Sequence, residues 1–354
     1  MSAPLRVRPL SETEADAWER LVRESPHGSV YATRAYLDAL CEATGGRHRI
    51  LVAERGGELA GGVALYEERS RLGPHVSDRR LLYYNGPVLR AAATRYPSER
   101  TAREVETLGA LAEEIERLGL ASVRLKCRGS LRDARAFQAR GWGVEVAYTY
   151  VVDLAEPVAA WARVERNLRR LVERCAEAGA TVAEDGDFAT FFRLHEGTSR
   201  RKGAPLYLPE KAFRRWFERL RERGLAALFH ARLPSGEVIA SQIVLLGHPV
   251  THTVAAAADP EHQRLGANAF LRWKVMEELA RRGFVANDLT DAALNPVTHF
   301  KSQLGGELTP CLVVSSPPTL RYRLGRRATE LAHSLASRLR GGGNGNGGGP
   351  LAGG

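Results

Sequence analysis

The sequence predicts an α/β (α+β) chain of two tandem units, each a mixed, mostly antiparallel sheet flanked by helices. Three observations lead there. At 354 residues the chain is long for one core and suits two domains of about 150 residues each. Hydrophobic residues make up 44% and charged residues 26%, so the bulk of the chain buries a core rather than staying unfolded. Finally, RILVAERGGELAGGVALY and AALFHARLPSGEVIASQIVLL both read strand, Gly-Glu turn, strand, with Gly57-Glu58 and Gly236-Glu237 lying 179 residues apart, half the chain.

The elements around these hairpins repeat in the same order. A helical region with an aromatic stripe precedes each, Tyr31 to Leu40 in one half and Phe213 to Leu220 in the other. A further strand follows each, then a long helix (Ala102 to Leu118, Ala267 to Arg282), then a short apolar strand (ASVRLK, FVANDL). The first long helix opens on a plain capping pattern, Ser98 or Thr101 followed by Glu. Trp161, Trp216 and Trp273 fall on helices at apolar spacing and are expected in the core. The units are expected at residues 1–153 and 154–318. A basic amphipathic helix over 319–340 follows, with Leu324, Ala328, Leu331, Leu335 and Leu339 at helical spacing, and then a disordered Gly-rich tail over 341–354.

The formal net charge of +10 favours an anionic partner such as tRNA, a phosphorylated lipid, a nucleotide or a membrane surface. About half of the excess is local, because Arg321, Arg323, Arg326, Arg327, Arg338 and Arg340 face only Glu330 between Leu320 and Arg340. That helix is read either as lying on an anionic membrane or RNA, or as packed on the body with its arginines solvated. The N-terminal stretch carries no secretory pattern and no segment offers about 18 uncharged apolar residues, so a cytoplasmic chain, at most peripheral to the inner membrane face, is expected. Cys41, Cys127, Cys175 and Cys311 are far apart and outside any metal-ligand spacing, so reduced structural thiols and no metal are expected.

The stretch NDLTDAALNPVTHFKSQLGG, residues 287–306, gathers titratable groups where an apolar strand ends on Asp288. Strand ends are where α/β folds place their chemistry. Asp288 and Asp291 are candidates to hold or deprotonate an acceptor ammonium, with helix capping as the alternative for Asp291, and His299 is a candidate relay at neutral pH. Arg200 and Arg201 form a basic cluster with Lys202 before Tyr207, suited to a phosphate or simply to a solvated surface. Tyr84, Asn85 and Gly86 end a strand of the first half, where their backbone could grip an acceptor or just turn the chain.

The order of elements resembles the GNAT acyltransferase fold, and a duplicated GNAT unit with these segments resembles the FemAB-like peptidyltransferases and BioF2-like acetyltransferases. The segments that carry the resemblance span about Trp18 to Val314: Leu82 to Val88 (LYYNGPV), Asn167 to Arg170 (NLRR), His195 to Gly203 (HEGTSRRKG), and Asp288 through Phe300-Lys301 to Gly305-Gly306. The resemblance implies an acyl donor lying in a cleft opened by strands that splay apart and held at the start of the long helix. Here that loop is Gln263-Arg264-Leu265-Gly266-Ala267-Asn268-Ala269, with Asn268 where the family has Gly or Ala; a helix N-terminus suits a pyrophosphate. It also implies that Lys301, beside Phe300, is a cation for the developing oxyanion or the leaving oxygen. The implied co-substrate is aminoacyl-tRNA or acyl-CoA, with no permanently bound cofactor. The implied acceptor is an amine of a lipid- or nucleotide-linked cell-envelope precursor of a bacterial cell, or alternatively of a polysaccharide or small metabolite. A long helical arm of the kind that accompanies tRNA binding is absent from the sequence. A non-catalytic RNA- or membrane-binding protein on the same scaffold is the remaining alternative.

Overall fold

In a computed structural model, which describes residues 3–79 and 81–329, each half folds as its hydrophobic pattern dictates. The first contains β1 (Leu5–Pro9), α1 (Ala15–Glu24), α2 (Arg34–Thr44), β2 (Arg47–Arg55), β3 (Glu58–Ser70), β4 (Gly73–Val76), β5 (Val88–Leu89), α3 (Pro97–Arg117), β6 (Ser122–Lys126), α4 (Arg135–Gln138) and β7 (Gly143–Asp153). The second contains α5 (Pro157–Arg163), α6 (Arg166–Glu177), β8 (Thr181–Glu184), α7 (Phe188–Arg201), α8 (Glu210–Glu222), β9 (Ala226–Arg232), β10 (Val238–Leu245), β11 (Val250–Ala258), α9 (Ala267–Arg281), β12 (Ala286–Asp288), α10 (Pro296–Ser302) and β13 (Glu307–Ser315). The recurring hairpins of the sequence are β2–β3 and β9–β10, both antiparallel. The aromatic-striped helices are α2 and α8, and the long ones are α3 and α9.

The strands form one sheet in the order β1-β2-β3-β4-β6-β13-β7-β12-β11-β10-β9-β8, with β5 added to β3. The two halves meet at its centre by exchanging their last strands. β13 pairs with β6 of the first half through Val313 to Ser315, and β7 pairs with β12 of the second half through Val151 to Asp153. β13 and β7 then run antiparallel to each other from Glu307↔Val151 to Ser315↔Gly143. The expected boundary at 153 therefore falls at the end of a strand whose partners both come from the second half.

Apolar burial fastens the halves together a second time. Trp18, Tyr31 and Tyr36 of the first half share one core with Phe188, Phe213 and Trp216 of the second, and the Tyr36 and Trp216 rings meet edge-on at 6.1 Å. Trp216 and Trp273 are buried as expected, and Trp161 packs on Trp273 with ring centroids 4.6 Å apart. α9 buries residues on every side, from Ala267 and Phe270 through Trp273 to Met276 and Leu279, as a helix that is apolar all round must. Arg272 is carried into the interior with them.

Residues 320–329 are helical and rest on the first half, where Arg321 Nη2 donates to the Arg71 carbonyl at 2.8 Å. The remainder of the expected basic helix, 330–340, and the Gly-rich tail lie outside the described residues. Among the described residues no helix is long and apolar enough to cross a membrane, and the four cysteines are free thiols.

Because β13 separates β6 from β7, a fragment ending at residue 153 lacks the strand that joins its own last two. Such a fragment is expected to give no cooperative thermal transition by circular dichroism, since unpaired strand edges must find other partners. A sharp two-state melt of residues 1–153 alone would show that the exchanged strand is dispensable.

Candidate active site

The site begins where two neighbouring strands part. β11 and β12 pair in parallel for only three residues, Val250↔Ala286, Thr251↔Asn287 and His252↔Asp288, and beyond His252 that edge of β11 borders open space. The chain leaves β12 through Thr290 and Asp291, both non-glycine residues at positive φ, +47° and +58°. For a β-branched threonine this backbone is an outlier that its surroundings must enforce. Asp288 Oδ1 accepts from the Thr290 amide at 2.8 Å, and Thr290 Oγ1 donates to the Thr253 carbonyl at 2.8 Å. Lys301 Nζ donates to the Thr290 carbonyl and, at 2.8 Å, to that of Asp291.

Lys301 reaches them from α10, not from the strand end that the sequence implied. Asn295 caps this helix by accepting from the Val297 and Thr298 amides at 2.9 and 3.0 Å, and Pro296 supplies the first turn. The opening between the strands is a cavity of about 370 Å³ lined by Tyr83 of the first half and by His195, Lys202, Tyr207, Ala255, Arg272, Thr290, Asp291 and Lys301 of the second, among others. Burial, and then the nearby Arg272, push the Lys301 ammonium down to about 8, against the opposing pull of Asp291 and Asp288. Arg272 is 7% exposed, and burial lowers it to about 10. Two N–H bearing atoms of its guanidinium, Nε and Nη1, have no hydrogen-bond partner.

Asp288 stands behind this cavity rather than in it. It is 2% exposed and accepts from Tyr84 Oη at 2.6 Å and Thr149 Oγ1 at 2.5 Å in addition to the Thr290 amide. Burial opposes its charge, but these donors and the His252 ring hold it well below the ordinary carboxylate range. The His252 ring lies 3.6 Å from Asp288 Oδ2, and its own burial favours the neutral imidazole. The geometry makes Asp288 an anchor for the Thr290 turn.

The other sequence candidates fall into three groups. Asp291 and Tyr207 line the cavity with Lys301. Tyr84, Asn85 and Gly86 do not: Asn85 bridges the Arg124 carbonyl and the Lys126 amide, and a Cβ on Gly86 would sit 2.7 Å from Cys127 Cα. Arg200 and Arg201 are exposed at the end of α7, Arg200 paired with Glu196 at 3.4 Å and Arg201 donating to the Ala258 carbonyl at 3.3 Å. His299 is exposed and Phe300 half-buried against the second core, both on α10. Gln263 and Arg264 lead into α9, where Gly266 at φ +93° forms the N-cap and packs so closely that a Cβ would lie 2.6 Å from the Leu171 carbonyl oxygen. The amides of Ala267, Asn268 and Ala269 follow in the first turn, where no intrahelical acceptor exists. Sequence reasoning missed Arg272, Tyr83 and the turn at Thr290. Arg272 carried a signal, since Ala269, Arg272, Met276 and Leu279 keep core spacing and only one of them is charged.

Residues 162–302 match the family model described as an acetyltransferase (GNAT) domain. No curated protein matches the sequence. Among solved structures the chain is similar to FemX, at 14% identity over 87% of this chain and 96% of that one, with a TM-score of 0.69. It is also similar to a tandem GNAT protein from the clavulanic acid biosynthesis pathway, at 14% identity over 88% and 98% with a TM-score of 0.52. A third similar structure is L-PGS from Bacillus licheniformis, at 11% identity over 87% and 92% with a TM-score of 0.52. At these identities the likeness is one of fold.

Removing the Asp288 carboxylate leaves three buried donors unpaired, so Asp288→Ala is expected to cost about 2–4 kcal/mol of stability, and Tyr84→Phe about 1–2 kcal/mol. Urea denaturation checks both. An Asp288→Ala protein as stable as the parent would contradict the anchoring role.

Proposed function

We propose, for a chain whose second half carries a GNAT acetyltransferase domain within a FemAB-like duplicated GNAT fold, that this acyltransferase moves an acyl group from a thioester donor to an amine of an anionic cell-envelope precursor, with Lys301 as its catalytic cation. The single observation that carries the reading is the position of Lys301: a half-buried ammonium in the cavity between diverging strands, held by two backbone carbonyls. Acyl-CoA is the co-substrate that a GNAT domain uses, and the α9 N-terminus beyond Gly266 offers free amides for its pyrophosphate. The envelope precursor rests on the Fem-type segments of the sequence and on the basic balance of the chain.

In this reading a neutral amine attacks the thioester carbonyl carbon, a C–N bond forms, and the carbonyl oxygen takes up negative charge. Two of the three Lys301 N–H groups are committed to the Thr290 and Asp291 carbonyls, which leaves one for that oxygen. Collapse of the intermediate re-forms the carbonyl and breaks the C–S bond. The departing thiolate takes a proton, and the amine gives one up. An ammonium near 8 is well matched to protonate a thiolate. Asp291, at the rim, is placed to hold the acceptor ammonium before it loses its proton.

Lys301→Met is expected to lower kcat by about 100- to 1,000-fold, the usual cost of an oxyanion donor, while acetyl-CoA binding by calorimetry changes little. Lys301→Arg is expected to restore little of it, because a planar fork cannot replace a point charge between two carbonyls. The active cation is complete below its lowered pKa, so kcat/KM should fall as pH rises through about 8. A rate that stays flat to pH 9.5 would remove Lys301 from the mechanism. If charged tRNA supports turnover and acyl-CoA does not, the donor is an aminoacyl ester instead.

A further inference from the structure

Arg272 has a place in the cavity that the acyl-transfer reading does not use. A charge in the interior is normally matched by an opposite charge or by hydrogen bonds to each donor. Arg272 has neither: among the described residues no carboxylate forms an ion pair with it, its Nε and Nη1 are unpartnered, and only the Tyr207 hydroxyl electrostatically favours its charge. Two further cations, Lys202 and Lys301, line the same cavity. Proximity to Arg272 lowers the proton affinity of both, after the larger effect of burial. Among the described residues one carboxylate, Asp291, lines the cavity with them.

We propose, building on the acyl-transfer reading, that the cavity receives a carboxylate carried by one of the two reacting substrates, with Arg272 as its buried receptor. Arginine presents N–H groups in a planar fork that matches a carboxylate edge. The donor's pyrophosphate is assigned elsewhere, because the α9 N-terminus that suits it, Ala267 to Ala269, is not among the residues that line this cavity. The cavity, at about 370 Å³, is at the small end of ligand sites, and Lys301 shares it. The anion at Arg272 is thus a short distance from the reacting carbonyl, as a carboxylate at the far end of a dicarboxylic acyl chain would be, or one beside the acceptor's amine.

Calorimetry on the full chain with succinate, alanine, alaninamide and inorganic phosphate at constant ionic strength tests the assignment. Succinate binding reports a carboxylate on the acyl chain, and alanine binding that alaninamide does not reproduce reports one on the acceptor; either supports the proposal when Arg272→Met weakens it at least tenfold. Arg272→Lys is expected to recover only part of that loss, whereas Arg200→Ala, outside the cavity, is expected to bind as the parent does. Arg272→Met should melt at the same temperature as the parent or higher, because it removes an unpaired buried charge; a lowered melting point with unchanged ligand binding assigns Arg272 to the framework and overturns the proposal. Tighter binding of inorganic phosphate than of either carboxylate, or binding indifferent to residue 272, also overturns it. Acyl transfer is scored separately with acetyl-CoA and an amine, so failure of the carboxylate site leaves the Lys301 result standing, and the converse.

Discussion

The separation of β11 from β12 is the constraint on which the rest of the site depends, and one buried carboxylate sets it. Asp288 collects Tyr84 from the first half, Thr149 from the exchanged strand β7 and the Thr290 amide from its own turn. A carboxylate accepts several hydrogen bonds at once, so the residue that ends the pairing with β11 also fixes where the chain goes next. Thr290 and Asp291 are forced to positive φ, their carbonyls turn toward Lys301, and the cavity opens on the unpaired edge of β11. The cost of a buried charge is offset by donors from both halves, so the site is complete only when the halves are joined.

The strand exchange serves the same end. β7 carries Thr149 at the centre of the sheet, and Val151 of that strand pairs with both Asp288 and Glu307. A simple tandem of two closed units would leave the edge of β12 without this partner. The shared aromatic core of α2 and α8 packs against Tyr83 of the first half, which lines the cavity. The cavity is thus walled by both halves, which the strand exchange and the shared core join at two places.

Local and periodic features were legible in the sequence; features set by distant pairing were not. The hairpins, the long helices and the internal repeat rest on contacts within each half, and the 179-residue offset brought them out. Strand exchange leaves no mark on periodicity, because β7 and β13 alternate as they would in any neighbouring sheet. Lys301, Asp291 and Tyr207 were readable because they stand in a polar stretch or a recognisable segment. The Asn295-Pro296 helix start was equally present, an N-cap followed by proline, yet the expectation of a strand end masked it. Asp288 was found by its position, but its burial behind the cavity depends on Tyr84, 204 residues away, and no local pattern carries that distance.

Charge balance in the cavity bears on the donor. Arg272, Lys202 and Lys301 line one cavity in which, among the described residues, Asp291 is the single carboxylate. Lys301 is lowered from 10.5 to about 8 first by burial and then by Arg272, so part of that shift is repulsion between the cations of the cavity. An aminoacyl donor would bring one more ammonium into that field unless Asp291 took it, and Asp291 would then be lost to the acceptor. A donor or acceptor bearing a carboxylate does the reverse: it relieves the repulsion and favours the charged form of Lys301, since a nearby anion stabilises a cation. In the proposed mechanism, Lys301 then carries its charge more fully once substrate is bound. Repulsion among these cations therefore supports the proposed acyl thioester over an aminoacyl ester as the donor of this chain.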